Sequence, residues 1–273
     1  MPDYTISPTP YPDVNAVLNS LLSGVQAVLT DDFVGMYLHG SLAISDFNPE
    51  RSDIDILVVT GGKLPVETVS ALKDMHSSLT GSGLKWATRM EVSYIPQQAL
   101  RRFDPANASH PALRSDGSFD IDHHGPDWIV QRHVLREEGV TVWGPDPKAL
   151  IDRVSTADLR QGALETLRQW WAPQLTDTSR LQSSEYQAYA VLTMCRILYT
   201  LEHGAVASKT AAAHWALTAL DQRWAQLIER ALNWRPGLTM DSPKEVLELM
   251  AAVIEGDGQI HQLEEYCGLP RNI

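Results

Sequence analysis

The stretch MYLHGSLAISDFNPERSDIDILVV, residues 36–59, places a Gly-Ser pair after one apolar run and two aspartates at the start of the next. Both runs are short and rich in Val, Ile, Leu and Tyr, which predicts β-strands. Alternate residues of a strand point to the same side, so Asp53 and Asp55 share one face. Two neighbouring carboxylates repel each other unless a cation lies between them. Mg2+ prefers carboxylate and phosphate oxygens, so the pair favours a magnesium site.

Gly40 and Ser41 indicate how a nucleotide could bind beside this metal. Gly40 has no side chain to obstruct a phosphate, and Ser41 offers a hydroxyl and a backbone N–H at a helix start. An Asp-Ile-Asp sequence alone is more often part of a turn, and a Gly-Ser pair alone is uninformative. Eleven residues separate Ser41 from Asp53, with a strand on each side and Ser52 before the first aspartate. The combination favours a site for magnesium and a triphosphate.

Composition narrows the class of protein. The 273 residues suffice for two domains. The net charge of −12 argues against nucleic acid as a partner and favours a cationic small molecule. The two cysteines, Cys195 and Cys267, lack the spacing of a metal or redox site. No run is long enough to span a membrane, and the first residues do not resemble a signal peptide. We expect a cytoplasmic monomer that does not bind membranes.

The first half of the chain alternates strand and helix signals. Short apolar or alternating runs predict three strands, at residues 33–40, 54–62 and 87–96. A helix is expected between the last two, from Val66 to Gly81. Residues 104–126 are rich in Asp, Asn, Ser, Gly and Pro and are predicted to be a loop that borders the active site. A helix at 126–139 and a short edge strand at 140–147 follow.

The second half is predicted to be helical throughout. Four segments have helical periodicity and begin near a Ser, Thr or Asp cap: residues 156–175, 183–204, 208–234 and 242–268. In the second segment one apolar stripe is assigned to core packing, and it comprises Val191, Met194, Cys195, Leu198 and Leu201. The whole pattern predicts an α+β fold with a small mixed sheet followed by a helical bundle.

These residues carry a resemblance to known families. Gly40-Ser41, then Asp53-x-Asp55, then Glu91 in a later strand resembles the polymerase-beta-like nucleotidyltransferase superfamily. The segments LRQWW and LTMCRILYTLEHGAVASKTAAAHWAL resemble the streptomycin and spectinomycin adenylyltransferases. The resemblance implies a nucleotidyltransferase domain at residues 1–152. It also implies a helical domain at residues 153–273 that completes the nucleotide and acceptor site.

The resemblance also implies an activity and its residues. AMP would be transferred from ATP to a hydroxyl of an aminoglycoside or aminocyclitol antibiotic, with Mg2+ bound by Asp53, Asp55 and Glu91. Glu91 would be the catalytic base. Positioning, metal charge and one proton acceptor supply most of the catalysis in such a transfer. Without the resemblance, a lone Glu in a strand is equally well explained as an ordinary surface residue.

Two basic residues match positions that the family uses to hold the triphosphate. Lys209 stands at a predicted helix start, where the helix dipole disfavours a cation and an anionic ligand would explain it. A solvated lysine is the alternative. Arg196 lies beside the core stripe and needs a partner, either phosphate or a carboxylate such as Glu202 or Glu185.

The acceptor-recognition stretch departs from the streptomycin-modifying relatives. Asp177 and Glu185 are the acids available in APQLTDTSRLQSSEY, and they are the candidate acceptor-binding residues. A stretch with few acids can pair with few ammonium groups on the acceptor. Spectinomycin is therefore expected to be a better acceptor than streptomycin. A nucleotidyltransferase acting on a partner protein or on a non-antibiotic small molecule is the alternative. A nucleotide sensor without activity is disfavoured by Glu91.

Histidines and tryptophans provide weaker signals. Adjacent side chains diverge, so His123 and His124 are predicted to be polar loop residues in preference to metal ligands. Core or interface packing is the default for Trp128, Trp170 and Trp171, and stacking on a sugar or base is the alternative.

Overall fold

A six-stranded mixed sheet lies at the centre of the first half of the chain. The computed structural model describes residues 6–256. The strands are β1 (Phe33–Leu38), β2 (Ile54–Thr60), β3 (Met90–Pro96), β4 (Ser109–Leu113), β5 (Phe119–His123) and β6 (Val140–Trp143). They are arranged in the order β5-β4-β3-β2-β1-β6, so the predicted edge strand β6 is indeed at an edge. Among these strands β2 and β3 are parallel, and the other neighbours are antiparallel.

Within the described residues of the first half, six α-helices accompany the sheet. They are α1 (Pro12–Leu29), α2 (Gly40–Ala43), α3 (Val66–Thr80), α4 (Gln97–Arg101), α5 (Asp127–Glu138) and α6 (Pro147–Leu150). Parallel strands need a crossover connection, and α3 provides it between β2 and β3. The predicted helices at residues 66–81 and 126–139 are confirmed as α3 and α5.

The two faces of the sheet are covered by different helices. One face packs against α1 and α3 and buries alternate residues of β2 and β3, among them Ile56, Val58 and Val92. The opposite face packs against α4, α5 and α6, and its buried residues include Leu57 and Val59 of β2. Each fully buried aliphatic side chain contributes about 1.5–3 kcal/mol, so both layers stabilise the sheet.

The prediction of a loop at residues 104–126 is wrong, because this segment contains the β4–β5 hairpin. Leu113 pairs with Phe119, and both side chains are buried in the core beneath α3. The chain reverses at Gly117, whose positive φ of 81° suits glycine. The Asp, Ser and Gly residues that suggested a loop lie in this turn and on the exposed edge strand.

The second half of the chain forms a separate compact unit, which begins at Val154, after a first unit ending at Arg153. Its helices are α7 (Thr156–Thr166), α8 (Ser184–His203), α9 (Lys209–Ala219), α10 (Ala225–Asn233) and α11 (Pro243–Glu255). A π-helical turn, Leu167–Trp171, extends α7. Ser155 and Asp158 form a capping box at the start of α7, and Gly204 ends α8 with a φ of 60°. The fold is therefore α+β with a helical second unit, as predicted.

Helix α8 lies at the centre of this unit. Its predicted core stripe is confirmed: Val191, Met194, Cys195 and Leu198 are buried, and Leu201 packs against the same cluster. Residues of α9, α10 and α11 complete the cluster. The apolar face of α8 is therefore used for packing, as its periodicity predicted.

The prediction of a single helix at residues 208–234 is wrong, because the segment forms two helices, α9 and α10. The chain becomes extended at Leu220, with φ −101° and ψ 164°, and α9 ends there. The Asp221 side chain then accepts a hydrogen bond from the Arg223 N–H and starts a 3-10 turn that leads into α10. This turn buries Trp224, which explains the break. The last part of the helix predicted at 242–268, with Cys267, lies outside the described residues.

Within residues 6–256, no helix combines the length and the hydrophobicity that a bilayer span requires.

Candidate active site

Gly40 lies two residues after the end of β1 and against the carboxylate of Asp55. Its φ of 58° is in the left-handed region, and a Cβ at this position would overlap the Asp55 side chain. The backbone N–H of His39 donates to the Asp55 carbonyl oxygen at 3.1 Å and joins the two strand ends. Glycine is therefore required here for conformation and for space.

Ser41 is in the short helix α2, which is separated from β1 by the single residue His39. The Ile44 N–H donates to the Gly40 carbonyl at 3.2 Å, and the Asp46 N–H donates to the Ser41 carbonyl at 2.9 Å. The carbonyl groups of Gly40 and Ser41 are thus bound within the chain. Their N–H groups belong to the first turn of a helix, where no intrahelical acceptor exists.

Asp55 and Glu91 lie directly opposite each other in the parallel β2–β3 pair. Neighbouring strands are about 4.8 Å apart, so the two carboxylate side chains rise from the same face at adjacent positions. Asp55 is partly buried and Glu91 is exposed. The structure therefore brings Gly40, Asp55 and Glu91 together at one end of one face of the sheet.

Asp53 precedes β2 and is held by an arginine that sequence analysis missed. The Arg89 Nε lies 3.4 Å from the Asp53 Oδ1. The Ser52 hydroxyl accepts a hydrogen bond from the Asn48 N–H at 3.0 Å, so it is part of the turn before β2. Arg89 and Asp53 are 36 residues apart, and no local pattern indicates the pair.

The described residues contain no cluster of three or more His, Cys, Asp or Glu side chains arranged to hold a metal by themselves. The predicted set of Asp53, Asp55 and Glu91 does not form such a cluster. Magnesium bound with a nucleotide uses phosphate and water oxygens as well, and needs only one or two carboxylates from the protein. The carboxylate of Asp55, which lies against Gly40, fits this kind of ion.

Two histidines predicted to be in a polar loop lie at the end of β5, and the prediction is wrong for one of them. His124 is buried and stacks on Trp128, with ring centroids 3.6 Å apart. Its Nε2 lies 3.4 Å from the hydroxyl of Ser93, which is on the same strand face as Glu91. His123 is exposed. His124 and Trp128 therefore form part of the wall beside the carboxylates.

Burial keeps His124 and two histidines near it neutral: the His110 ring lies 5.0 Å from the ring of His124, and the His39 ring lies 6.1 Å from the ring of Trp128. Burial lowers the pKa of His39 to about 4. Burial, with the charge of Arg132 next in size, lowers the pKa of His110 to about 4. Burial and the neighbouring His110 lower the pKa of His124 to about 2. At neutral pH these side chains thus add no positive charge beside Asp55 and Glu91.

The two predicted phosphate-binding residues lie on helices of the second unit. Lys209 is the first residue of α9, after the N-cap Ser208, and its Nζ lies 4.8 Å from the centroid of the Tyr189 ring. Arg196 is seven residues after Tyr189 on α8, so both are on the same side of that helix. Lys209, Tyr189 and Arg196 therefore line one surface of the helical unit.

The two candidate acceptor-binding acids are exposed, and each has a local structural role. The Asp177 Oδ1 accepts a hydrogen bond from the Ser179 N–H at 3.1 Å. Hydrogen bonds from Ser179 hold the pKa of Asp177 below its ordinary value. Glu185 is in the first turn of α8, where the helix dipole favours an acid.

The paired tryptophans near these acids differ from each other. Trp171 is buried in the core of the helical unit, so the packing expected for it is confirmed. Trp170 is 47% exposed, and the Arg180 guanidinium carbon lies 5.1 Å from its ring centroid.

Comparison with known protein families agrees with this arrangement. A family model described as "Nucleotidyltransferase domain" matches residues 26–105, which include Gly40, Asp55 and Glu91. A second, described as "Aminoglycoside adenylyltransferase, C-terminal domain", matches residues 149–255. The fold and site define a nucleotidyltransferase. The two models match in order along the chain, and the chain is similar in both parts to the aminoglycoside adenylyltransferases.

Individual relatives are distant but cover most of the chain. The chain is similar to the Spectinomycin 9-adenylyltransferase of Campylobacter jejuni, at 25% identity over 87% of this chain and 92% of the relative. It is also similar to that of Staphylococcus aureus strain Mu50, at 24% identity over 76% of this chain and 79% of the relative. The Aminoglycoside (3'') (9) adenylyltransferase of Escherichia coli is 26% identical over 80% of this chain and 84% of the relative.

A solved structure shows the same fold. It is the crystal structure of spectinomycin adenyltransferase AAD(9) from Enterococcus faecialis with ATP and spectinomycin. The match has a TM-score of 0.69 and 16% sequence identity, and it covers 91% of this chain and 98% of that chain.

Proposed function

We propose that this enzyme transfers AMP from ATP to a hydroxyl of an aminoglycoside or aminocyclitol, with Mg2+ bound to the nucleotide. The observation that carries the proposal is the alignment of Asp55 with Glu91 across the β2–β3 pair, with Gly40 against Asp55. In this proposal Asp55 binds the metal, Gly40 leaves room for a phosphate, and Glu91 accepts the proton. The relatives named as adenylyltransferases support the same reaction.

In this proposal the first domain, residues 1–152, carries out the transfer of AMP. Glu91 accepts the proton of the acceptor hydroxyl while the hydroxyl oxygen forms a bond to the α-phosphorus of ATP. The bond from that phosphorus to the bridging oxygen breaks, and pyrophosphate leaves. Magnesium, when bound, supplies positive charge to the phosphates during this displacement. In this proposal Asp53 and Asp55 bind the Mg2+ ion. Glu91 is exposed, so an acceptor can approach it.

Backbone and basic groups bind the triphosphate in this proposal. Gly40 leaves room for phosphate oxygens, and the Ser41 N–H and hydroxyl donate to them. Ser52 is kept as a weaker candidate because its hydroxyl already accepts a bond from the Asn48 N–H. Lys209 and Arg196 of the helical domain, residues 153–273, add charge-assisted hydrogen bonds.

Spectinomycin is the proposed acceptor, ahead of streptomycin. Each desolvated ammonium group needs a carboxylate partner, and the acceptor stretch offers Asp177 and Glu185. An acceptor with two small amines and no guanidinium fits this small number of acids. The similarity to spectinomycin 9-adenylyltransferases supports the ordering.

Mass spectrometry of the reaction products tests the reaction directly. The enzyme is incubated with ATP, magnesium and a panel of aminoglycosides and aminocyclitols. A product that carries one added AMP is expected, with pyrophosphate released in equal amount. If no acceptor in the panel gives a product, the proposal is contradicted, and a protein or a non-antibiotic small molecule becomes the favoured acceptor.

Expression in a sensitive bacterium tests the acceptor ordering. The inhibitory concentration of spectinomycin is expected to rise more than that of streptomycin. A rise for streptomycin alone refutes the ordering without affecting the proposed reaction.

Calorimetry tests the metal. Asp53 and Asp55 repel a triphosphate unless a cation lies between them, so ATP is expected to bind only when magnesium is present. Equal affinity with magnesium and with excess chelator would remove the proposed metal site.

A further inference from the structure

Arg89 connects three acceptors on the segment that leads into β2. Its Nη1 donates to the Pro49 carbonyl at 2.9 Å, and its Nη2 donates to the Ser52 carbonyl at 2.5 Å. Its Nε lies 3.4 Å from the Asp53 Oδ1. One planar guanidinium thus binds the two carbonyls and the carboxylate at the same time.

The segment that Arg89 holds is a tight turn. The N–H groups of Arg51 and Ser52 both donate to the Asn48 carbonyl, at 3.1 and 2.8 Å. The Asn48 side chain in turn accepts a bond from the Glu50 N–H at 2.9 Å. Asp53 directly follows this turn, so the position of its carboxylate depends on how firmly the turn is held.

Arg89 is itself fixed from two sides. Its guanidinium carbon lies 4.8 Å from the centroid of the Trp86 ring, a cation–π distance. Its carbonyl accepts a hydrogen bond from the Ile54 N–H at 2.9 Å, which joins the starts of β2 and β3. The turn before β2 and the start of β3 are therefore connected through this one residue.

The ion pair alone does not explain this arrangement. The Asp53 and Arg89 side chains are 40% and 33% exposed, and exposed pairs of this kind add little stability. By charge alone, a guanidinium beside Asp53 also competes with a dication for that carboxylate. The planar fork of donors is what distinguishes arginine from lysine at such a site.

We propose that Arg89 is a positioning residue, which fixes the turn at residues 48–52 and thereby holds the Asp53 carboxylate in place for the magnesium-bound nucleotide. This inference rests on the proposed function. It requires that the geometric effect of Arg89 exceeds its charge effect. Removing Arg89 should therefore weaken metal binding, although a competing positive charge is removed with it.

Calorimetric titration of magnesium, with a non-hydrolysable ATP analogue present, tests this order of effects. Arg89→Lys keeps the charge without the fork, and Arg89→Met removes both. Both variants are expected to raise the magnesium concentration for half-maximal nucleotide binding by about tenfold or more, as for partners that orient metal ligands. Unchanged or tighter magnesium binding in Arg89→Met overturns the proposal, since Arg89 would then be only a counter-ion.

Lys85→Gln is the matched control. Lys85 is a second cation near Trp86, at 5.9 Å from the ring centroid, and its ion pair is with Asp13. This variant should leave the magnesium requirement unchanged. The titration is made well below the unfolding temperature, because a purely structural role of Arg89 would lower Tm and leave metal binding by the folded protein unaltered.

Hydrogen exchange without nucleotide or metal separates this inference from the proposed function. The amides of Arg51 and Ser52 should exchange several-fold faster in Arg89→Lys than in the unmodified protein or in Lys85→Gln. Unchanged exchange overturns the positioning role. Faster exchange in a protein that shows no magnesium-dependent ATP binding supports the positioning of the turn and contradicts the proposed function instead.

Discussion

The two faces of the sheet differ in where polar side chains occur along the same strands. On the face beneath α1 and α3, β2 and β3 begin with apolar residues, as at Ile54, Ile56 and Met90. The opposite face begins with Asp55 and Glu91 and becomes apolar only further along the strands. On β2 and β3, the charged side chains are thus confined to one end of one face.

This difference shows how a carboxylate pair is accommodated in a strand pair that is otherwise buried. Asp55 alternates with Ile54 and Ile56, so its carboxylate faces away from the larger core, as does that of Glu91, its partner on β3. A register shift of one residue would place the acids in that core and the isoleucines at the site. The apolar face therefore fixes the register on which the proposed chemistry depends.

The largest effect is expected at the polar end. Glu91→Gln keeps the shape of the side chain and removes the base, so turnover should fall by about a hundredfold or more while ATP still binds. Single-turnover kinetics and calorimetry measure the two quantities separately. Glu67→Gln, at an exposed acid of α3, is the control. Undiminished turnover in Glu91→Gln would refute the assignment of the base.

Substitutions on the apolar face should instead lower the stability of the protein. Ile56 is fully buried, so Ile56→Ala should lower the free energy of unfolding by roughly 3 kcal/mol. Turnover per folded molecule should remain the same. Denaturant unfolding measures the loss, and Val66→Ala, at an 80% exposed position, should change stability little. A large loss of turnover per folded molecule in Ile56→Ala would contradict the division between the faces.

A buried histidine on the apolar side should make stability depend on pH. His76 contacts the Tyr94 hydroxyl through its Nε2 at 2.7 Å, and burial lowers its pKa from 6.5 to about 4. Between these values the unfolded chain binds more protons than the folded chain. Stability should therefore fall as the pH is lowered from about 6.5 to about 4, by up to about 3 kcal/mol for this group.

Denaturant unfolding across this pH range measures the slope. His76→Gln should flatten it, while the buried His39 and His110 preserve part of it. A substitution at the exposed His214 serves as the control. A slope in His76→Gln identical to that of the unmodified protein would show that His76 does not contribute.

The smallest effect is expected in the helical unit, at Lys209. Lys209→Ala removes one charge-assisted phosphate contact and should weaken ATP binding by about 2 kcal/mol or less. Lys209→Arg should retain most of the affinity. Calorimetry with magnesium present measures both variants. An unchanged dissociation constant in Lys209→Ala would show that this lysine is merely solvated and packed on Tyr189.

Strands β1, β2, β3 and β6 could be predicted because local patterns specify them. Short apolar or alternating runs at residues 54–62 and 87–96 indicated β2 and β3 with a helix between them, whereas the role of Glu91 beside the aspartates came from the family resemblance. The β4–β5 hairpin was missed because its polar, turn-forming residues outweighed the alternation in FDID at 119–122. The break at Leu220 had a local signal in Asp221, a common N-cap residue.

Contacts between distant residues could not be predicted from local patterns. Arg89 reaches the Pro49 carbonyl across 40 residues and the Asp53 carboxylate across 36. His124 was placed in a polar loop, and its burial follows from its stacking on Trp128 after the hairpin has formed. Both cases depend on the sheet, whose strand order no single segment of sequence specifies.

The parallel β2–β3 pair also has a consequence for folding kinetics. Residues 61–89 separate its strands, so this pairing closes a longer chain segment than the β4–β5 hairpin does. Pairings that are distant in sequence slow folding, because the entropy of closure is lost before the contacts form. Asp55 and Glu91 become neighbours only when this pair is complete. Recovery of activity on refolding should therefore follow the slow sheet-forming phase and not the faster formation of the helices.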